Sequence, residues 1–260
     1  MEQRYGLKCF CPTCGVETTF HRIKERKAYA GAGCGHHIYP QAGTIFQDSR
    51  TPLQVWYYAI YLFIATRHGV SGKELQRTLG VTYKTAWRMG QQIRDLMAKA
   101  DVFTALRGHV EIDETFMGGY QPRSKNLPNK GKTVVLGMKQ RGGPLVTEVV
   151  KDYKRSTIKP VILETVEEGA TVSTDELRSY LLLEEFGYEH GRVNHDLQWV
   201  NGIHHTNNLE TFWKLFKASV KSTHIHVSKQ HMQRYLNEFT FRSNHRERGN
   251  LMFDLVIGAL

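Results

Sequence analysis

The 260-residue sequence has no apolar segment long enough to cross a bilayer. Its longest apolar run, at 53–66, falls short of the roughly 20 residues that a spanning helix needs, so we expect a buried helix there. The first residues, MEQRYGLKCF, lack the apolar core of a secretory signal, and we expect no secretion. Internal repeats and low-complexity tracts are also missing. These absences predict a soluble, cytosolic protein with no membrane partner.

Acidic residues are the scarcer charge. The sequence has 35 Lys and Arg against 25 Asp and Glu, which gives a net charge of +10. Such a balance favours a polyanionic partner, with nucleic acid foremost, and we expect a nucleoid-associated protein. The length exceeds the usual domain size of about 100–150 residues, which predicts one sizeable core and a smaller module.

Cysteine is scarce too, and all four cysteines lie within the first 34 residues. In a reducing compartment such clustering indicates a metal site more than disulfides. We predict a structural Zn²⁺ site in a zinc ribbon over residues 1–47. The predicted ligands are two pairs at the spacing of a zinc knuckle: Cys11, Cys14, Cys34 and His37. Cys9 or His36 could replace one of the four.

Residues 48–100 show the pattern of a helix, a short glycine turn and a second helix, which is typical of a helix-turn-helix DNA-binding domain. Ser71 and Glu74 form a capping box at the first of these helices, and Gly80 ends it. The second helix would enter the major groove. Its predicted DNA contacts are Thr82, Tyr83, Lys84 and Arg88. A plain helical hairpin is the alternative.

From about residue 108 the apolar periodicity becomes that of strands. HVEIDETF alternates apolar and acidic residues, and two more strands follow around a Gly-Gly turn at 142 and 143. A helix, with Pro160 in its first turn, comes next. The remaining elements are a strand and helix at 170–186, a short strand at 190–195 and a helix from 204. This order predicts a ribonuclease-H-like α/β catalytic core at 108–222, followed by a basic helical segment at 223–260.

Three acidic residues lie on separate elements of this predicted core. Asp113 is on the first strand, and Asp175 is at the carboxyl end of a later strand, where the ligands of open α/β sheets gather. Glu210 is on the last helix. Three such carboxylates can bind two Mg²⁺ or Mn²⁺ ions for phosphodiester exchange. The alternatives are that Asp175 caps a helix, that Asp113 faces solvent, and that Glu210 pairs with Lys214 or Lys217.

The last helix, HHTNNLETFWKLFK, has two contrasting faces. Its apolar stripe would dock on the sheet. Its polar face presents Asn207, Glu210, Lys214 and Lys217. Glu210 or Asn207 would complete the metal site, and one of the lysines would hold the phosphate nearby. The basic loop at 120–132 and the basic segment at 223–260 would add phosphate contacts, unless they are merely solvated surfaces.

Several motifs in this order resemble bacterial insertion-sequence transposases of the zinc-ribbon DDE group, often called ISXO-like. They are the cysteine knuckle, GTIF, TAWRM, VEIDETFMGG, TDE with a tyrosine at 180, HTNNLETFW and VSKQHMQRYLNEFTFRSNHR. The resemblance extends from about Cys11 to Arg246. It implies a DNA transposase that recognises the terminal repeats of its element, cuts there and joins strands to target DNA, acting as a dimer or higher oligomer.

The resemblance also implies roles for individual residues. Asp113 and Asp175 become the first two catalytic acids. The third position in this group is often an Asn followed by a Lys, which favours Asn207, whereas a full negative charge makes Glu210 the stronger metal ligand. We predict Glu210 as the main contributor and Asn207 as its support. The sequence departs from the group at His37, where many relatives have Cys. The alternative function is a DNA-binding regulator or an inactive transposase-derived protein.

Overall fold

The computed structural model describes residues 8–118, 131–181, 183–193 and 200–260. The chain divides into two compact units, one up to Tyr57 together with Leu260, and the other from Tyr58 to Ala259. Nearly all of the predicted basic loop at 120–132 lies outside the described residues, as does the end of the predicted strand at 190–195. No helix within the described ranges is long and apolar enough to cross a membrane.

The described part of the first unit contains five short antiparallel strands. They are β1 (Cys9–Phe10), β2 (Glu17–Thr18), β3 (Phe20–Arg22), β4 (Tyr29–Gly31) and β5 (His37–Ile38). β1 pairs with β2, while β3, β4 and β5 form a separate sheet. The buried residues of this unit are few and small apart from Phe46 and Trp56, whose rings meet edge to face. A unit of this kind has little apolar core of its own.

Three helices follow: α1 (Leu53–Ala65), α2 (Gly72–Leu79) and α3 (Tyr83–Ala100). The run at 53–66 forms the predicted helix, but the helix is buried on one side only, since Ile60 and Phe63 are fully buried while Tyr58 and Tyr61 are exposed. The Ser71 hydroxyl accepts a hydrogen bond from the backbone N–H of Glu74 (3.1 Å), which confirms the predicted N-cap. Gly80 ends α2 with φ at 66°, in the left-handed region that glycine enters without strain.

The second unit is built around a five-stranded mixed sheet, which confirms the predicted α/β class. Its strands are β6 (His109–Met117), β7 (Thr133–Gln140), β8 (Leu145–Val150), β9 (Thr171–Thr174) and β10 (Glu189–Arg192). Their order across the sheet is β10-β9-β6-β7-β8. β6, β7 and β8 form the predicted antiparallel meander, and β9 runs parallel to both β6 and β10.

Helices cover both faces of the sheet. They are α4 (Arg155–Thr165), α5 (Asn207–Ser219) and α6 (Met232–His245), with α7 (Leu251–Gly258) at the end of the chain. One core contains Ile112 of β6 and Ile158 of α4. The other contains Trp213 of α5 and Leu236 of α6. Alternate residues of β6 therefore face different cores, and α5 docks on the sheet as its apolar stripe predicts.

Two local predictions are wrong. Pro160 is the sixth residue of α4 and not in its first turn, because the Asp152 carboxylate accepts hydrogen bonds from Lys154 and Thr157 and starts the helix early. The predicted helix after Asp175 is replaced by two 3₁₀ turns, Arg178–Tyr180 and Leu183–Phe186. Asp175 accepts the N–H of Leu177 (2.9 Å) in a turn of its own, so the chain does not continue into an α-helix.

The segment at 223–260 was expected to be a basic helical surface, yet α6 is largely buried. Glu238 lies on α6 and is fully buried between two guanidinium groups, with Arg94 of α3 at 2.8 Å and Arg242 at 2.9 Å. The Arg94 guanidinium also lies 3.9 Å from the ring centroid of Tyr235. The glycine-turn helix pair and the sheet consequently belong to one packed unit.

Candidate active site

Three carboxylates converge where β9 ends beside β6. Ile112 is the last β6 residue that pairs with β9, opposite Thr174, so the next residues of both strands lie beyond the paired region. Carboxylate oxygens of Asp113, Glu114 and Asp175 lie within 4.8 Å of one another. The structure therefore brings together two of the predicted acids and adds Glu114, which the sequence reasoning missed.

Burial and mutual repulsion raise the pKa values of Asp113 and Glu114. Burial, followed by the charges of Glu114, Asp175 and Glu210, raises the pKa of Asp113 to about 8, against a hydrogen bond from Trp213 that lowers it. Burial and Asp175 raise the pKa of Glu114 to about 7. Negative charge held in this way would be stabilised by a divalent cation, and carboxylate oxygens are the ligands that Mg²⁺ and Mn²⁺ prefer. The residues fit such an ion.

Each of the two consecutive acids has its own neutral donor. The indole N–H of Trp213 donates to Asp113 Oδ2 at 3.0 Å. The hydroxyl of Tyr180 donates to Glu114 Oε2 at 2.7 Å. Burial and the neighbouring acids raise the pKa of Tyr180 well above its usual value, so the phenol stays protonated and remains a donor. Neither donor was assigned from sequence, although the tyrosine after TDE was part of the motif pattern.

Two of the predicted residues of α5, Glu210 and Lys217, interact electrostatically with Asp113 without belonging to the carboxylate group. Glu210 contributes to the negative field at Asp113, and its Oε2 lies 3.7 Å from the Lys214 ammonium. Burial lowers the pKa of Lys217, while the charge of Asp113 acts in the opposite direction. Asn207 is exposed at the first position of the helix, where its carbonyl accepts from the Thr211 hydroxyl at 2.8 Å. The carboxylates that lie within 4.8 Å of one another are thus those of Asp113, Glu114 and Asp175.

A third acid of β6, Glu111, fixes the start of α5. It is fully buried, and it accepts hydrogen bonds from the backbone N–H (3.0 Å) and side-chain amide (2.7 Å) of Asn208. Arg141 donates to the same carboxylate (2.9 Å) and to the carbonyl oxygen of Ile203 (2.7 Å). A carboxylate at a helix N-terminus is favourably placed. This network holds the helix that carries Glu210 against β6, and no local sequence pattern indicates it.

In the first unit, the thiols of Cys11, Cys14 and Cys34 lie within 4.8 Å of one another. Hydrogen bonding from the backbone of Cys14 is the largest influence on Cys11 and lowers its pKa to about 7, which favours a thiolate. His37 is not a member of this group, and the ring Nδ1 of His36 lies 2.8 Å from the Thr13 hydroxyl. Three thiols at this spacing fit Zn²⁺.

The predicted DNA contacts cluster at the start of α3. Thr82 caps the helix by accepting the N–H of Thr85, and Lys84 is exposed. Tyr83 is exposed too, and the Lys73 ammonium lies 4.8 Å from its ring centroid. Arg88, one turn further on, is half-buried. The exposed start of α3 thus offers cationic, aromatic and hydroxyl groups to a partner.

Comparison with known proteins identifies a family whose sequences match this chain. Residues 105–244, more than half of the chain, match the model of the ISXO2-like transposase domain. The chain is 30% identical over 262 residues to an uncharacterized protein in transposable element ISH50 of Halobacterium salinarum, which covers 92% of this chain and 86% of that protein. All the acids of the candidate active site lie inside the matched range, and the three clustered cysteines lie outside it.

Two further similarities are more limited. An uncharacterized transposase-like protein of Haemophilus influenzae is 30% identical over 117 residues, which is 44% of this chain and 94% of that protein. Among solved structures, the crystal structure of the Mos1 strand transfer complex aligns with a TM-score of 0.33 and 11% identity over 81% of this chain and 80% of that chain. A structural likeness of this size is weak.

Proposed function

Because the chain belongs to the ISXO2-like transposase family, we propose that it is a DNA transposase that cuts at the ends of an insertion sequence and joins the cut strands to target DNA. The observation that carries the proposal is the convergence of Asp113, Glu114 and Asp175 at the end of β9. Nucleic acid as the partner agrees with a net charge of +10.

The sheet supports a ribonuclease-H-like assignment for the catalytic core. Its central strand, β6, begins an antiparallel meander on one side and pairs in parallel with β9 on the other. Asp113 and Asp175 lie on these two neighbouring strands or directly after them, as the resemblance requires. The third predicted acid, Glu210, comes from the helix that covers the same face of β6 as Asp113.

We assign the divalent ions, Mg²⁺ or Mn²⁺, to Asp113, Glu114 and Asp175. For the third catalytic position we propose Glu210 as the main contributor and Asn207 as its support. Two such ions supply stabilisation of the attacking and departing oxygens of a phosphodiester exchange. Water is the nucleophile for cutting, and a DNA 3′-hydroxyl is the nucleophile for joining. The protein's own contribution is to orient the carboxylates and to place Lys214 and Lys217 where they bind the phosphate backbone.

The remaining parts bind DNA or stabilise the fold. We propose a structural Zn²⁺ at Cys11, Cys14 and Cys34, with His37 still the predicted fourth ligand, and DNA-end recognition by α3 through its exposed start. Joining two element ends requires two active sites near one another, so the proposed working form is a dimer or higher oligomer on DNA. A DNA-binding regulator without cutting activity is the competing function.

The test is strand cutting and joining on a DNA duplex that carries the element's own terminal repeat. We expect Mg²⁺-dependent activity, and we expect Asp113→Asn and Asp175→Asn each to abolish it while binding to the same duplex is retained. Asp254→Asn, which changes an exposed acid of α7, is the matched control and should remain active. Tight end binding by the unmodified protein with no cutting would favour the regulator.

A further inference from the structure

Trp213 has a contact that its place in the apolar stripe does not require. The side chain is 4% exposed and belongs to the core between α5, α6 and the sheet. A tryptophan in such a core needs only packing and a partner for its indole N–H. Here the partner is Oδ2 of Asp113, at 3.0 Å, which is a carboxylate of the proposed metal site.

The strand next to Asp113 has a gap that fits this indole ring. Gly137 of β7 is the cross-strand partner of Asp113, so a side chain there would project beside the carboxylate on the same face of the sheet. A Cβ at this position would lie 2.5 Å from Cζ2 of Trp213 and 2.9 Å from Cδ2 of Leu209. Glycine inside a buried strand weakens the strand and often marks a close approach of another group. The group here is the ring that reaches Asp113.

We propose that Trp213 is a positioning residue for Asp113, and that Gly137 provides the space in which it does so. The inference rests on the proposed function, because it matters only if Asp113 binds a divalent ion. The hydrogen bond from the indole N–H to Oδ2 is directional, so it fixes the rotation of the Asp113 carboxyl group about its Cβ bond. The lone pairs left free by the indole are then available to an ion shared with Glu114 and Asp175.

The alternative is that Trp213 only fills the core. Phenylalanine separates the two roles, because it keeps an aromatic ring and loses the N–H donor. Groups that orient metal ligands through hydrogen bonds typically affect metal affinity by about ten- to a hundredfold when they are removed. A residue that only packs would change the unfolding temperature and leave the affinity of the folded protein for the ion unaltered.

The experiment measures Mn²⁺ binding by the full-length protein without DNA, alongside thermal unfolding. We expect Trp213→Phe to weaken Mn²⁺ binding by about ten- to a hundredfold and to lose cutting activity that raised Mn²⁺ restores. The matched control is Trp56→Phe, the same change at a fully buried tryptophan whose indole donates to the Ser49 hydroxyl at 2.9 Å. It should bind Mn²⁺ as the unmodified protein does.

Asp113→Asn distinguishes a failure of the positioning role of Trp213 from a failure of the proposed metal site. If it weakens Mn²⁺ binding and Trp213→Phe does not, the positioning role is wrong and the proposed metal site stands. If Asp113→Asn also leaves Mn²⁺ binding unchanged, the proposed metal site is wrong and the positioning role falls with it.

Gly137→Ala provides a second, independent test. The added methyl group should displace the indole and weaken Mn²⁺ binding in the unmodified background. Its effect should be much smaller combined with Trp213→Phe, because the smaller ring lacks Cζ2 and the N–H is already lost, which leaves the contact with Leu209 common to both backgrounds. Equal effects in both backgrounds would overturn the proposal. If the variants fail to fold, hydrogen exchange of the Trp213 indole in the unmodified protein decides: slow exchange is expected, and exchange at the rate of an exposed indole would refute the hydrogen bond.

Discussion

Asp113 and Glu114 are consecutive residues of β6, yet oxygens of their carboxylates lie within 4.8 Å of each other and of Asp175. Neighbouring side chains of a strand point to opposite faces of a sheet. Accordingly, the donor for Asp113 is Trp213, from the core under α5, and the donor for Glu114 is Tyr180, from the core under α4. Each face of the sheet supports one acid of the pair.

Tyr180→Phe should therefore lower the activity of the site, because Tyr180 supports Glu114 from the face of the sheet opposite to Trp213. The change removes the hydrogen bond to Glu114 and leaves the ring in place. We expect metal-dependent cutting to fall by about ten- to a hundredfold, with a loss of stability of about 1 kcal/mol. Tyr188→Phe is the control, because it removes a hydrogen bond from the same core that goes to the carbonyl oxygen of Val166 (2.9 Å) and not to an acid of the site. Equal activity in the two variants would contradict the role of Tyr180.

The third catalytic position can be assigned by ranking three variants in a strand-transfer assay. Glu210→Gln should abolish joining because it removes a full charge from the neighbourhood of Asp113, whereas Asn207→Ala should leave a measurable fraction that raised Mn²⁺ increases. Lys214→Ala controls for the pairing of Glu210 with Lys214. The reverse ranking would give the third position to Asn207, and equal losses in Glu210→Gln and Lys214→Ala would reduce Glu210 to a partner of that lysine.

If the zinc site exists, the purified protein should contain Zn²⁺, and removing a ligand should release it. Protein purified without added zinc should contain about one Zn²⁺ per chain, and Cys14→Ser should lose it, because one missing ligand severely weakens a closed tetrahedral site. Cys9→Ser, the same change outside the thiol group, tests whether Cys9 supplies the fourth ligand. Comparing zinc retention in His37→Ala and His36→Ala then identifies the fourth ligand. Folded protein without stoichiometric zinc would remove the site from consideration.

Acid should destabilise the second unit through His224. Burial, and then Arg94 and Arg242, lower the pKa of this histidine to about 4 against the opposing charge of Glu238. A base with a lowered pKa contributes stability that is complete above pH 6.5, the usual value, and is lost as the pH falls towards 4. The loss attributable to His224 is up to about 3 kcal/mol.

The measurement is the free energy of unfolding against pH for the unmodified protein and for His224→Gln, taken as a difference so that other titrating groups cancel. We expect the difference to change between pH 6.5 and 4, with the variant the less acid-sensitive. His226→Gln, two positions later and exposed, should follow the unmodified protein. Parallel curves for both variants would show that His224 does not titrate in this range.

Much of this arrangement was open to prediction because it depends on local patterns. The alternation in HVEIDETF identified β6, and the end of β9 placed Asp175 where ligands gather. Glu114 was missed because strand periodicity assigns it to the opposite face from Asp113, and only the end of the β9 pairing allows the two to converge. The contact of Glu111 with Asn208 joins positions 97 apart, and no local pattern reports such a pairing.

The buried ion pair between Arg94 and Glu238 has an evolutionary consequence. Separating a buried pair leaves an uncompensated charge and costs about 3–5 kcal/mol. The helix predicted to read DNA therefore cannot be exchanged freely, because moving α2 and α3 to another protein would leave Arg94 buried without its carboxylate and Glu238 with Arg242 as its remaining guanidinium partner. Relatives that acquire new end sequences should do so by changing residues at the exposed start of α3, and should inherit the α3–α6 contact as a single piece.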